Sequence, residues 1–204
     1  LIECANTNLE YMGYTEHGLR HVGYVSKTTA NILTELGYDD RTVEVGAIAG
    51  WIHDIGNSIN RKHHGLTGAT LAYDALSRMH MDISEIAVII GAIGNHEEEN
   101  GLPVNPVSAA LIIADKSDAH RSRVRKKTFD ASDIHDRVNY SVTRAELKIN
   151  ESKTLIKLKL HIDTRYGSVM DYFEIFMNRM ILCRTAAETL GLQFKLIINE
   201  QPLV

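Results

Sequence analysis

A chain of 204 residues, 44% of them hydrophobic, is long enough for one well-cored domain with room for a small second lobe. Its 22 Lys and Arg against 26 Asp and Glu leave a net charge of -4, which argues against nucleic acid and membrane surfaces as partners. Cys4 and Cys183 stand far apart in no CxxC pair, which excludes a disulfide scaffold and a zinc ribbon and leads us to expect a reducing, cytoplasmic compartment. The start Leu1-Ile-Glu-Cys4 lacks the charged-then-apolar order of a secretion signal, and the longest apolar run, Ile86 to Gly94, is too short to span a bilayer.

Helical spacing of Leu19, Val22, Val25, Ile32, Leu33 and Leu36 predicts a first helix from Gly18 to Leu36, stopped by Gly37. Asp39-Asp40 supplies N-cap residues for a second helix, Val43 to Ile52, which runs into His53-Asp54. Ile55 to Lys62 reads as a loop, and a third helix follows from His64 to Met79. Asp82-Ile-Ser-Glu85 has capping-box spacing before Ile86 to Gly94, whose nearly unbroken apolarity suggests a central helix of the bundle. Asn105-Pro106 then opens a fifth helix through Ala114 to Asp115.

The pattern changes after the basic run Arg121 to Lys127, because Val138 to Ile149 and Leu155 to Ile162 alternate with period two. They predict a hairpin turning near Asn150 to Ser152, with a bulge near Thr143-Arg144 where the apolar phase slips by one. Ser168 to Asp171 caps a long helix to Leu190, and Gln193 to Asn199 returns as a strand. The expected fold class is therefore mainly α: a helical bundle over residues 1–127 with a small α+β lobe, ββαβ, over residues 128–204.

The candidate metal ligands all fall on or beside predicted helices: His21, His53, Asp54, His64, His96 and Asp115. This mixture of imidazole and carboxylate suits one or two divalent ions of the Fe, Mn, Mg, Zn, Co or Ni type better than a thiolate-bound structural zinc. A carboxylate bridging two ions about 3.5–4 Å apart would allow water activation and charge neutralisation at one phosphoryl group.

At these residues the chain resembles the HD-domain superfamily of metal-dependent phosphohydrolases, through His17-Gly-Leu-Arg-His21, His53-Asp54-Ile-Gly56, His64 with Gly68, Asn95-His96-Glu97 and Ala114-Asp115-Lys-Ser-Asp118. The resemblance covers roughly the first 125 residues. It implies a five-helix HD-type core, with His21, His53, Asp54 and Asp115 around one metal and Asp54, His64 and His96 around the other. It also implies hydrolysis of a phosphoester or phosphoanhydride in a small phosphorylated substrate, a nucleotide above all. Asn57, Asn95 and Leu102 depart from the HDIGK, HHE and Gly-Tyr-Pro signatures of the cyclic-dinucleotide branch, which argues against that substrate.

Among neighbours of the ligands, Asp54, Lys116 and Arg121 are assigned to catalysis, the two cations to hold a phosphate oxygen. Arg125 is a further cation of the same run, which reads equally well as a solvated face. His17, Glu97 and Asp118 are candidates for places behind the ligands; Asp118 reads as a ligand, as an orienting partner for Lys116 or Arg121, or, the favoured reading, as an ordinary helix-face carboxylate. His135-Asp136 repeats the dipeptide in a polar stretch and reads as surface. His80, His120 and His161 read as ordinary exposed or half-buried histidines. The competing class is a regulatory module that captures a nucleotide in the same pocket without turnover. The C-terminal lobe is a candidate homodimer surface, continuing its sheet across subunits.

Overall fold

The computed structural model describes residues 1–125 and 132–202. Its N-terminal part contains α1 (Ile2–Tyr11), α2 (Leu19–Leu36), α3 (Asp40–Ile52), α4 (His64–Arg78), α5 (Ile83–Gly94) and α6 (Pro106–Ser117). The predicted caps are present. Gly37 ends α2 in the left-handed region at φ 88°, Asp39 accepts from the backbone N–H of Arg41 and Thr42, and Asn105 accepts from that of Ser108. At α5 the Asp82 side chain accepts from the Ser84 N–H, but Glu85 does not close a capping box, because it pairs with Arg41 of α3.

Helix α5 buries Ile86, Ile89, Ala92 and Ile93 in the bundle as expected, and α6 is enclosed still more completely. Every residue from Val107 to Ala114 is buried, whereas α5 keeps Ile83 and Ala87 at the surface. Three alanines in α6 give its neighbours short side chains to approach, and α2, α3, α5 and the long C-terminal helix all pack on it. Gly50 permits a similar approach of α3 to α2, since a Cβ there would lie 2.7 Å from the Ser26 Cα.

The C-terminal part comprises α7 (Ile134–Ser141), β1 (Val142–Ile149), β2 (Leu155–Ile162), α8 (Val169–Thr189), β3 (Gln193–Ile198) and the short β4 (Gln201–Pro202). The sheet order is β1-β2-β3-β4, with β2 and β3 parallel across the α8 crossover and the outer pairs antiparallel. The expected bulge appears as a register shift between Val142 and Arg144. Ile156, Leu158, Leu160 and Ile162 face the core as expected. A Ser168/Asp171 capping box starts α8.

Two local readings change. Val138 to Ser141 is the end of α7, not strand: Asp133 caps this helix through the His135 and Asp136 N–H groups, and the period-two match over Val138, Tyr140 and Val142 is too short to separate the alternatives. Within the His135-Asp136 pair, Asp136 is buried rather than on the surface. The first helix, α1, lies in a stretch without a strong apolar stripe; Ala5 and Leu9 anchor it, and Asn8 Nδ2 donates to the Ser58 carbonyl at 2.9 Å.

One apolar core joins both parts. Ile89 and Ile112 of the bundle belong to the same buried cluster as Leu158 of β2 and Phe176, Met180 and Ala187 of α8. The boundary read at 127/128, with Lys126 and Lys127, lies outside the described residues. Among the described residues no helix is long and apolar enough to cross a membrane.

Candidate metal centre

The site gathers where helix ends converge. His21 sits in the first turns of α2; His53 caps the C-terminus of α3, and Asp54 precedes a 3-10 turn over Ile55–Ser58. His64 opens α4, His96 follows α5 beyond Asn95, and Asp115 lies in the last turn of α6. The turn after Asp54 must press against the start of α4, and only glycine allows it: a Cβ on Gly56 would fall on the His64 carbonyl oxygen. Asn57, in the position of the HDIGK lysine, instead donates from Nδ2 to Asp54 Oδ1 at 3.0 Å.

The six expected ligands form two groups that share Asp54. Around its Oδ2 stand His21 Nε2 at 3.6 Å and His53 Nε2 at 3.4 Å, and Asp115 Oδ1 lies 3.3 Å from the former and 3.8 Å from the latter. Around its Oδ1 stand His64 Nε2 at 3.2 Å and His96 Nε2 at 3.8 Å, themselves 3.1 Å apart. Donors bound to one ion at about 2.0–2.2 Å sit roughly 2.8–3.6 Å from one another, so both groups are near the right size for an ion. Two triads, His21/His53/Asp115 and His53/Asp54/His96, meet the geometry of a metal-holding group.

Hydrogen bonds on the far side of each ring aim its Nε2 inward. His21 Nδ1 donates to Asp118 Oδ2 at 2.7 Å, His53 Nδ1 to the Gly50 carbonyl at 2.9 Å, His64 Nδ1 to the Arg61 carbonyl at 3.0 Å, and His96 Nδ1 to the Ile93 carbonyl at 2.6 Å. With the proton on Nδ1, each ring in its neutral form presents a lone pair at Nε2. His21 Nε2, His53 Nε2 and Asp54 Oδ2 are buried and make no hydrogen bond among the described residues. Converging buried lone pairs repel one another and are costly unless a cation lies between them. The donor set therefore fits a divalent ion.

The titration of these groups follows the same arrangement. Burial holds the His53 imidazole neutral, its pKa lowered to about 4 against the pull of Asp54 and Asp115. At His64 burial also acts downward, but Asp54 and Glu97 outweigh it and push the pKa up to about 9. His21 is shifted upward as well, Asp115 and Asp118 prevailing over burial and Arg123. Burial would raise Asp54 and Asp115; the facing histidines, and for Asp115 chiefly Lys116, hold both carboxyls well below their usual range.

No family model matches the chain. An uncharacterized protein of Methanocaldococcus jannaschii is 26% identical to it over 170 residues, covering 71% of this chain and 64% of that protein. The chain thus spans a little under two thirds of the length of that relative.

The residues expected behind the ligands take definite places. Asp118 orients His21, not Lys116 or Arg121, and is itself gripped by Arg20 at 2.8 and 3.2 Å. Glu97 contacts His64 Nδ1. His17 is buried with its ring centroid 5.3 Å from that of His21. Lys116 is buried, its Nζ on Asp115 Oδ2 at 2.7 Å and Glu98 Oε1 at 3.1 Å, so it steadies a ligand carboxylate. Arg121 stacks on Tyr140 at 5.1 Å, and Arg125 ties Asn6, Tyr14 and Thr15 together.

Two clefts open over the centre, of about 420 Å³ beside His64 and Glu97 and about 200 Å³ beside His17. The cations lining them are Lys62, Arg61, Arg123 and Arg179. Sequence reasoning passed over Arg61 and Arg179. The only available signal for Arg61 was its place three residues before His64, and Arg179 lies on α8, far along the chain from the ligand pattern.

Proposed function

We propose that this chain is a metal-dependent phosphohydrolase of the HD-domain class, acting in the cytoplasm on a small phosphorylated substrate such as a nucleotide. The observation that carries the reading is Asp54, whose two carboxylate oxygens face separate donor groups. His21, His53, Asp54 and Asp115 would hold one divalent ion, and Asp54, His64 and His96 the other. Such ions, when bound, supply acidified water at neutral pH and neutralise phosphoryl charge.

The protein's own part is preorganisation. Four Nδ1 bonds fix the ligand rings, Lys116 fixes the free oxygen of Asp115, and helix ends bring the donors together before substrate arrives. Glu97, beside His64 and half-buried, has its pKa lowered to about 2, burial being outweighed by His64; it stays ionised and holds a negative charge against the His64 ring at the rim of the larger cleft. For assembly, among the described residues β1 is an edge strand that pairs only with β2, which supports our expectation of a homodimer continuing the sheet.

The test is metal analysis of the protein loaded with divalent ions, followed by turnover of a panel of nucleotides and phosphomonoesters. Hydrolysis abolished by a chelator is expected. Full metal occupancy with nucleotide binding but no turnover of any substrate would replace the enzyme by the regulatory module.

A further inference from the structure

The smaller cleft carries a charge pattern that ligand geometry does not require. Its walls include His17, Arg61, Arg123 and Arg179, with Tyr14 and Phe176 beside them. Three guanidinium groups thus face one cleft in a protein of net charge -4. They are incompletely neutralised. Arg123 is buried and donates to the main-chain carbonyls of Glu16 and Asp118, with its nearest carboxylate oxygen, on Asp118, at 3.9 Å. Arg61 has no carboxylate partner among the described residues; it stacks on Tyr14 at 5.5 Å and places Nη1 3.3 Å from His64 Nε2. Arg179 stacks on Phe176 at 4.5 Å and shares Glu98 with Lys116. Among the described residues Asp133 is the one acidic side chain in the lining, and it caps α7 by accepting from the His135 and Asp136 N–H groups.

The cleft touches the metal centre at both ends of the shared carboxylate. His17 packs on His21 of the first group, and Arg61 reaches His64 of the second. Arg179 comes from α8, outside the stretch that supplies the ligands. Arg123 is buried and Arg61 and Arg179 are half-buried; incompletely neutralised guanidinium groups partly withdrawn from water beside a phosphoryl site are suited to oxyanions, through bidentate hydrogen bonds.

We infer that this cleft is an oxyanion subsite built jointly by the bundle and α8, in which Arg179 and Arg61 grip a second phosphate group of the substrate while the first lies at the metal centre. The inference rests on the phosphohydrolase reading for what happens to the first phosphate, but not for the binding itself. The substrate class is accordingly one with two or more linked phosphates. The C-terminal part then contributes directly to substrate binding.

The test is calorimetric titration of the full chain, freed of metal by a chelator and checked for its fold by circular dichroism, with inorganic pyrophosphate and with orthophosphate. Tighter binding of pyrophosphate is expected, weakened at least tenfold in both R179Q and R61Q. R184Q, which removes an exposed charge from the same helix, is the control and is expected to bind as the unaltered chain does. If R179Q loses its fold, R61Q and R179K, which keeps the charge but not the fork, decide the matter. Equal affinity for the two anions, or pyrophosphate binding unchanged in the folded variants, would overturn the inference. Preserved pyrophosphate selectivity with no turnover of any phosphate would instead count against the hydrolase reading and leave the subsite standing.

Discussion

The two donor groups that share Asp54 differ in how completely the protein encloses them. The first has four protein donors, with His21 and His53 fully buried and a charged layer, Asp118 with Arg20, behind His21. The second has three, opens toward the larger cleft through His64 and Glu97, and has Arg61 against His64 Nε2. A closed group suits an ion held throughout the working life of the protein, and an open one suits an ion with positions left for water and substrate.

The largest effect is expected where both groups meet. Asp54→Ala should lose both ions and lower turnover about a thousandfold or more, read by metal analysis and steady-state kinetics. His96→Ala breaks the comparison more selectively: the second ion should be lost while the first remains.

Proton competition distinguishes the two groups as well. A proton on His64 must leave before an ion can bind, and its pKa of about 9 lies above neutrality. Affinity for the second ion should therefore fall about tenfold per pH unit below 9, and binding at pH 7 should release close to one proton from this group, measured by calorimetry in buffers of different ionisation enthalpy. His53, lowered to about 4, should contribute no such release at the first group.

Asp118→Asn tests the layer behind the closed group. The amide keeps the shape but loses the charge that orients His21, and the first ion should bind roughly 10–100-fold more weakly.

The smallest effect is read in stability. Glu98 is a carboxyl that burial would raise but that Lys116 and Arg179 lower from 4.5 to about 2. Because its folded pKa is depressed, its contribution is fully present above pH 4.5 and is lost as pH falls toward 2. Glu98→Gln should flatten that acid limb of the denaturation profile by about 1–3 kcal/mol.

What was legible in the chain follows from the range of each interaction. Local chemistry marked the caps at Asp39, Asn105 and Ser168, and the ordered pattern marked six residues that converge in the structure, because each needs only its neighbours or its residue type to be recognised. Tertiary competition was not legible. Glu85 has the spacing to cap α5 yet pairs with Arg41 across the bundle, and the run from Arg121 to Arg125 reads as surface or phosphate site although Arg123 is buried as a clamp on main-chain carbonyls. The fuller enclosure of α6 relative to α5 likewise depends on which neighbours arrive, since alanines look less hydrophobic than isoleucines but pack closer. Arg179 entered the cleft only through the path of α8.

The central claim is that Asp54 divides one carboxylate between two ions. The most direct measurement is anomalous-difference crystallography of the protein loaded with manganese and, separately, zinc. The account predicts two peaks about 3.5–4 Å apart, one within bonding distance of each Asp54 oxygen. A single peak, or two peaks of which one does not touch Asp54, would contradict it.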